Sequence, residues 1–75
     1  MHFDRITINP EVMLGKPCIK GTRITVELIL EKLAGGATYD DLFDGYPRLT
    51  IEDIREAIRY AYGVLKNEII IEAVA

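Results

Sequence analysis

The sequence predicts a mainly α-helical domain in which a short N-terminal β-hairpin precedes a three-helix bundle. Three observations predict this class. Apolar residues recur at helical spacing in three consecutive segments, and each segment begins at a threonine. Apolar and polar residues alternate near the N-terminus, as in a short strand. The chain has 75 residues, 49% of them apolar, which fits one domain divided into an arm (1–24), a bundle (25–66) and a tail (67–75).

The N-terminal arm is predicted to hold two short strands. The first runs over Phe3 to Ile8, where apolar and polar side chains alternate until Asn9-Pro10 ends the pattern. Cys18-Ile19-Lys20 is the candidate second strand, inside a loop that runs from Gly15 to Thr22. Because two short strands are only marginally stable in water, we expect another surface to cover them.

Three helices are predicted over about 25–34, 38–44 and 50–66. Thr25, Thr38 and Thr50 are placed as N-caps, and Asp41 and Asp53 stand three residues after the second and third caps, as in a capping box. The apolar residues at helical spacing are Val26, Ile29, Leu30 and Leu33 in the first helix, Tyr39, Leu42 and Phe43 in the second, and Ile51, Ile54, Ala57, Ile58, Ala61, Tyr62 and Leu65 in the third.

Three helices joined by tight loops can bury their apolar sides in one core, which is the general plan of helix-turn-helix domains. For the tail (67–75), the sequence permits more than one secondary structure. Ile69-Ile70-Ile71 favours a strand, whereas the flanking Glu68 and Glu72 are compatible with a helix. We expect an extended or disordered segment, and a third strand and a partner-binding tail are equally compatible with these residues.

Composition excludes several classes of site. Cys18 is the single cysteine and His2 the single histidine, so neither an internal disulfide nor a Cys/His zinc cluster can form. The chain has no serine, which leaves no nucleophile beside a base, and Cys18 is expected to be a small apolar core residue. Asp40, Asp41 and Asp44 are explained as a solvated acidic face. We therefore expect a binding protein without enzyme activity, cofactor or metal.

The distribution of charge argues against a protein that coats nucleic acid. The net charge is −3, but residues 1–24 carry four basic and two acidic residues, whereas residues 25–75 carry five basic and ten acidic ones. The opening residues show no signal peptide, and Ile69-Ile70-Ile71 is the longest apolar run, far shorter than the about 20 residues that span a membrane. A cytoplasmic protein is expected.

The stretch from Gly15 to Arg23 is the most distinctive motif. It differs from a phosphate-binding loop, because Lys20 precedes Gly21 instead of following it and no helix begins directly after the loop. The glycines are explained by tight backbone turns. Lys16, Lys20 and Arg23 would then form a small basic patch, available to phosphate or to an acidic protein.

The third predicted helix carries Arg55 and Arg59 on one face, and Arg48 precedes it. In a helix-turn-helix domain such arginines can reach bases or phosphates in the major groove. Glu52 and Glu56 can instead pair with Arg55 and Arg59 at i, i+3 spacing, which is the more economical explanation of this face. The candidate DNA-binding residues are Arg48, Arg55, Arg59, Lys20 and Arg23.

Several ordered motifs together resemble the family called domain of unknown function 433. They are Ile8-Asn9-Pro10, the run from Gly15 to Ile24, Leu33-Ala34-Gly35-Gly36, Tyr46-Pro47-Arg48-Leu49-Thr50 and Ala57-Ile58-Arg59-Tyr60-Ala61, within residues 3–62. Cys18 departs from the aliphatic residue that the family more often has there. The family motif positions, structural or partner-binding, are Gly15, Lys16, Pro17, Gly21, Thr22 and Arg23.

The resemblance implies a homeodomain-like or winged-helix-like fold and a prokaryotic antitoxin of a type II toxin–antitoxin pair, often beside a toxin with a PIN-like nuclease fold. It implies no catalytic residues. The leading hypothesis is an antitoxin-type protein that forms a homodimer through its N-terminal hairpin, binds a toxin protein and also binds operator DNA. The alternative is a protein-interaction module on the same scaffold that does not bind DNA, which the acidic charge of the helical region favours.

Overall fold

A computed structural model describes residues 3–66 of the chain, so the predicted tail (67–75) lies outside the described residues. Within them, an N-terminal hairpin precedes three α-helices, and the predicted fold class is confirmed. None of the helices in this part is long and apolar enough to cross a bilayer. The elements are β1 (Ile6–Thr7), β2 (Cys18–Ile19), α1 (Val26–Ala34), α2 (Tyr39–Gly45) and α3 (Ile51–Leu65), with one 3₁₀ turn at Met13–Gly15.

The three predicted threonine caps are confirmed. The Thr25 hydroxyl accepts a hydrogen bond from the Leu28 N–H at 2.9 Å and begins α1. Thr38 begins α2 with a reciprocal capping box, and the hydrogen bonds from Thr38 hold the pKa of Asp41 below its ordinary value. Thr50 begins α3 in the same way. The starts of the three helices therefore follow from contacts between residues three positions apart in the sequence.

The hairpin is shorter than the sequence indicates. Its two antiparallel strands pair Ile6 with Ile19 and Thr7 with Cys18, and each strand has only two residues. Asn9 forms a turn after β1. Its side-chain oxygen accepts a hydrogen bond from the Glu11 N–H and its carbonyl accepts one from the Val12 N–H, both at 2.9 Å. After β2 a second tight turn connects directly to α1. The predicted strand over 3–8 is thus limited to its central pair.

Each helix contributes one large, fully buried side chain to the core. These are Ile29 of α1, Leu42 of α2 and Ile54 of α3. The hairpin covers one side of this core, as expected, with Ile19 buried and Phe3 packed edge-on against Tyr60 at a ring-centroid distance of 5.4 Å. The remaining buried members of the cluster are Val26, Leu49 and Ala57.

The predicted apolar stripe of α3 is wrong in part. Ile54 and Ala57 are buried as expected, but Ile51, Ile58, Tyr62 and Leu65 are exposed. The core face of the helix is rotated toward a different set of residues, which join the common core cluster with residues of α1 and of the hairpin. The buried residues of α3 are Asp53, Ile54, Ala57, Tyr60 and Gly63.

Candidate functional site

The turn that joins β2 to α1 is built by Gly21 and Thr22. Gly21 has a φ of +76°, a left-handed conformation that favours glycine. The Thr22 hydroxyl donates to the Ile19 carbonyl at 2.8 Å and accepts from the Ile24 N–H at 3.0 Å, so one side chain closes the turn. The turn leaves Arg23 exposed beside the strand. Gly21 and Thr22 are therefore structural residues that position an arginine.

Arg48 approaches the same turn from the loop between α2 and α3. The Leu49 N–H donates to the Tyr46 carbonyl at 2.9 Å, and the Leu49 side chain is buried, so the loop is anchored while Arg48 stays exposed. The guanidinium Nη2 of Arg48 lies 4.0 Å from the place that a Cβ atom on Gly21 would occupy. The two arginines, 23 and 48, consequently face one cleft.

The cleft lies between the hairpin and the α2–α3 loop and has a volume of about 500 Å³. In the described part of the chain its lining includes no aspartate or glutamate, although the protein as a whole is acidic. Two guanidinium groups in a concave, acid-free surface attract an anion and can bind a carboxylate or phosphate through paired N–H groups. The lining residues are Thr7, Asn9, Val12, Cys18, Gly21, Thr22, Arg23 and Arg48.

The loop that follows β1 presents apolar side chains next to this cleft. Met13, Leu14 and Gly15 all have positive φ, at 48°, 59° and 78°. This conformation is uncommon and costly for residues other than glycine, so the loop holds Met13 and Leu14 outward at an energetic cost. The Leu14 side chain is 93% exposed, and Ile8 beside the cleft-lining Thr7 is exposed as well. Such an apolar rim next to two cations is typical of a protein-binding surface.

Cys18 lines the cleft but is buried. Its Sγ donates to the Lys16 carbonyl at 3.3 Å, and burial raises the pKa of the thiol. A neutral buried thiol is a poor nucleophile, in agreement with the expected apolar role. Among residues 3–66 no group of three or more side chains could hold a metal ion.

We expect Cys18 in the folded chain to react with a thiol reagent at least about tenfold more slowly than in the chain denatured by urea. Burial keeps both the thiol and its thiolate form from the reagent. Absorbance of the released chromophore at pH 8 measures both rates. Equal rates would show that the Cys18 thiol is accessible in the folded chain and would contradict its assignment as an unreactive core residue.

The other lysines of the predicted basic patch lie elsewhere. Lys16 forms an ion pair with Glu27 at 3.1 Å, which ties the loop to α1. Lys20 lines a separate depression that also contains acidic side chains. The Pro17 carbonyl accepts from the Val26 N–H at 2.9 Å, so the backbone before β2 contacts the start of α1. The predicted basic patch is therefore wrong, because Lys16, Lys20 and Arg23 lie on three different surfaces. Arg23 instead lines the same cleft as Arg48.

Arg55 and Arg59 share a shallow surface of α3 with Glu52 and Glu56. The predicted i, i+3 ion pairs are not present among the described residues at distances up to 4.0 Å. Glu56 instead accepts from the backbone N–H of Arg5 at 2.9 Å, and the Arg59 guanidinium carbon lies 5.6 Å from the centroid of the Phe3 ring. The arginines of α3 thus stand among carboxylates, unlike the pair at the cleft.

Sequence reasoning missed part of this site. Thr7, Asn9 and Val12 contribute to the lining but were expected only as strand or loop residues. The available signal was Met13-Leu14, two adjacent large apolar residues inside a loop bounded by proline and glycine. Loop residues of this kind have no core to fill, so they indicate an exposed contact surface.

The fold and the cleft together define a small helix-turn-helix-like domain with an N-terminal hairpin arm. The chain belongs to the family described as "Protein of unknown function (DUF433)", whose model matches residues 6–61. The resemblance noted in the sequence is thereby confirmed.

Two relatives agree with this assignment. A crystal structure of a DUF433 member protein from Anabaena variabilis ATCC 29413 is similar with a TM-score of 0.80 and 33% identity, covering 85% of this chain and 63% of that chain. The uncharacterized protein y4eO of Sinorhizobium fredii (strain NBRC 101917 / NGR234) is 32% identical over 56 residues, which are 75% of this chain and 25% of that protein. This chain therefore spans a quarter of the curated relative and under two thirds of the crystallised one.

Proposed function

We propose that this domain is an antitoxin-type binding protein and that the cleft between Arg23 and Arg48 receives an acidic segment of its toxin partner. The observation that carries the proposal is the pairing of two arginines in an acid-free cleft beside an exposed apolar loop. Arginine and methionine are both enriched at protein interfaces, and arginine is frequent among the residues that contribute most of the binding energy. The proposed role is binding rather than catalysis, and it needs no cofactor.

The electrostatics of the domain support one orientation of the partner. An acidic segment is attracted to the cleft and repelled by the acidic surface of the helices, since the chain carries a net charge of −3. Apolar side chains of the same segment can pack on Met13 and Leu14, which exclude water from the arginine–carboxylate contacts. The partner is therefore expected to carry aspartate or glutamate next to large apolar residues.

The direct test is binding between the purified chain and the co-expressed protein that its neighbouring gene encodes. We expect Arg48→Glu to weaken that complex at least about tenfold, because it places a negative charge in the receiving cleft. Arg55→Glu is the matched control, since Arg55 is also an exposed arginine but lies on α3 outside the cleft, and it should leave the affinity within about twofold. Calorimetric titration measures both dissociation constants. Unchanged binding by Arg48→Glu would exclude the cleft as the binding site.

Operator DNA is a second candidate ligand, because the same two arginines can contact backbone phosphates. Arg55 and Arg59 support this function less, since Glu52 and Glu56 lie beside them and repel phosphate. A mobility shift with the DNA upstream of the gene tests it. Binding that falls steeply as salt rises and disappears in Arg23→Glu supports DNA recognition. If no mobility shift is seen even at low salt, DNA binding is contradicted, and the alternative of a protein-interaction module that does not bind DNA is favoured.

A further inference from the structure

The unused polar groups of the arginine cleft are mainly hydrogen-bond donors. Within residues 3–66, the guanidinium groups of Arg23 and Arg48 donate no hydrogen bond and form no ion pair. A guanidinium carries five N–H donors and no acceptor. The side-chain oxygen of Asn9 already accepts from the Glu11 N–H at 2.9 Å, so the NH2 group is the part of this side chain that stays available. A ligand of the cleft must therefore supply acceptors.

The other polar side chains of the lining add no negative charge. The Thr22 hydroxyl is committed to the turn by two hydrogen bonds, and the Cys18 thiol donates to a backbone carbonyl. Thr7 pairs with Cys18 across the hairpin and brings an exposed, neutral hydroxyl. In the described part of the chain, the two arginines thus face the cleft without a counterion.

The charge of the cleft selects the kind of acceptor that fits it. A single carboxylate balances one guanidinium and offers two oxygens. A phosphate monoester carries a charge near −2 and three acceptor oxygens, so one such group balances both arginines and has an oxygen left for Asn9. The volume of about 500 Å³ lies within the range of small-molecule sites, so the cleft can also admit the group that the phosphate is attached to.

We propose that the cleft binds the phosphate monoester group of a small molecule, held by Arg23, Arg48 and the side-chain NH2 of Asn9. The ligand competes with the acidic segment of the toxin for the same two arginines. This competition rests on the proposed function, whereas binding of the phosphate needs no partner. By mass action, a rise in the phosphorylated ligand would release the toxin from the cleft.

The test is a titration of the full ¹⁵N-labelled chain with glycerol 2-phosphate at pH 7.5 and constant ionic strength, followed by NMR. We expect saturable shifts of the backbone amide signals of residues 21–23 and of the Asn9 NH2 signal, with a dissociation constant on the order of 1 mM. Dimethyl phosphate, a diester with one charge like the backbone of DNA, should bind at least about tenfold more weakly.

Asn9→Asp is the most informative variant. Its carboxylate can still accept from the Glu11 N–H and keep the turn, but it replaces the NH2 donor with a negative oxygen. We expect the dissociation constant of glycerol 2-phosphate to rise at least about tenfold, and Arg48→Gln should have a similar effect. Arg55→Gln is the matched control, an exposed arginine outside the cleft, and it should stay within about twofold. Circular dichroism checks that the variants fold.

The charge of the probe provides an independent measurement. The second ionisation of a phosphate monoester lies near pH 6, whereas arginine stays charged, so glycerol 2-phosphate should bind at least about threefold more tightly at pH 7.5 than at pH 5.5. Burial raises the pKa of Cys18, so no described residue of the lining changes its charge in this range. Sulfate is doubly charged at both pH values and controls for titration of the protein itself, so its affinity should change by less than about 1.5-fold.

Three results would overturn the phosphate site. Shifts that do not saturate would show that no site exists. Equal affinities for the monoester and the diester would reduce the effect to general attraction of anions. Unchanged binding by both Asn9→Asp and Arg48→Gln would place the phosphate elsewhere.

Displacement separates this proposal from the proposed function. Glycerol 2-phosphate added to the complex with the co-expressed partner should raise its dissociation constant, and no change would contradict the competition. If Arg48→Glu leaves toxin binding unchanged while Arg48→Gln loses phosphate binding, the proposed function fails and the phosphate site stands. The opposite pair of results removes the phosphate site and keeps the proposed function.

Discussion

Replacement of Ile54 with alanine is expected to lower the free energy of unfolding by about 3 to 4 kcal/mol. The Ile54 side chain is 0% exposed and lies in the core cluster beside Ile29 and Leu42. Its removal loses the burial of three methyl or methylene groups and leaves a cavity that rigid helix packing closes only in part. A domain of this size has a total stability of roughly 4 to 11 kcal/mol, so the variant retains little of it.

Urea denaturation followed by circular dichroism measures this loss. Ile8→Ala is the matched control, because it removes the same groups from a side chain that is 59% exposed, and it should change the stability by less than about 0.5 kcal/mol. Both variants must be compared at one protein concentration, since any dimer adds a concentration-dependent term. Similar losses in the two variants would contradict the position assigned to α3 in the core.

The second large effect is expected for Asp53→Ala, at about 2 kcal/mol. Asp53 is only 6% exposed and has two partners. Its Oδ2 accepts from the Thr50 N–H at 3.0 Å, which completes the capping box of α3, and its Oδ1 accepts from Nη1 of Arg5 at 3.2 Å. Alanine removes both contacts, leaves the Thr50 N–H without its acceptor and removes one of the contacts that hold the N-terminal arm on α3.

Asp41→Ala provides the comparison for Asp53→Ala. Asp41 has the same capping-box position in α2 and also accepts from its threonine, with Thr38 N–H to Oδ2 at 2.8 Å, but its side chain is exposed. We expect a clearly smaller loss, because water can replace the carboxylate there. Thermal unfolding of both variants gives the order directly. If Asp41→Ala costs as much as Asp53→Ala, then the cap alone and not the contact with Arg5 determines the effect.

The helices could be predicted from the sequence because their signals are local. Each cap joins residues three positions apart, so Thr25, Thr38 and Thr50 identify the starts without any knowledge of the tertiary structure. The hairpin could be predicted in existence but not in length. Strand length depends on where the two partners stop pairing, and the turn at Asn9 that ends the pairing is made by contacts that a period-two pattern does not encode.

The candidate site shows the same division. Arg23 belonged to the distinctive loop motif, and sequence proximity grouped it with Lys16 and Lys20. The structure pairs it with Arg48, which is distant in sequence, and gives Lys16 an acidic neighbour in Glu27. No periodicity or spacing rule relates two loops that meet only after folding. A binding site assembled from separate loops therefore needs the tertiary structure.

The sequence by itself determined the number of helices, their starting residues, the hairpin arm and the family. Only the tertiary structure decided which side of α3 faces the core. Apolar residues cover more than half of the circumference of this helix, so the helical period permits either face. Packing against α1 and contact of Phe3 with Tyr60 select the face that holds Ile54, Ala57 and Tyr60. Ile51, Ile58, Tyr62 and Leu65 are consequently left exposed, because one helix cannot bury both faces in so small a domain.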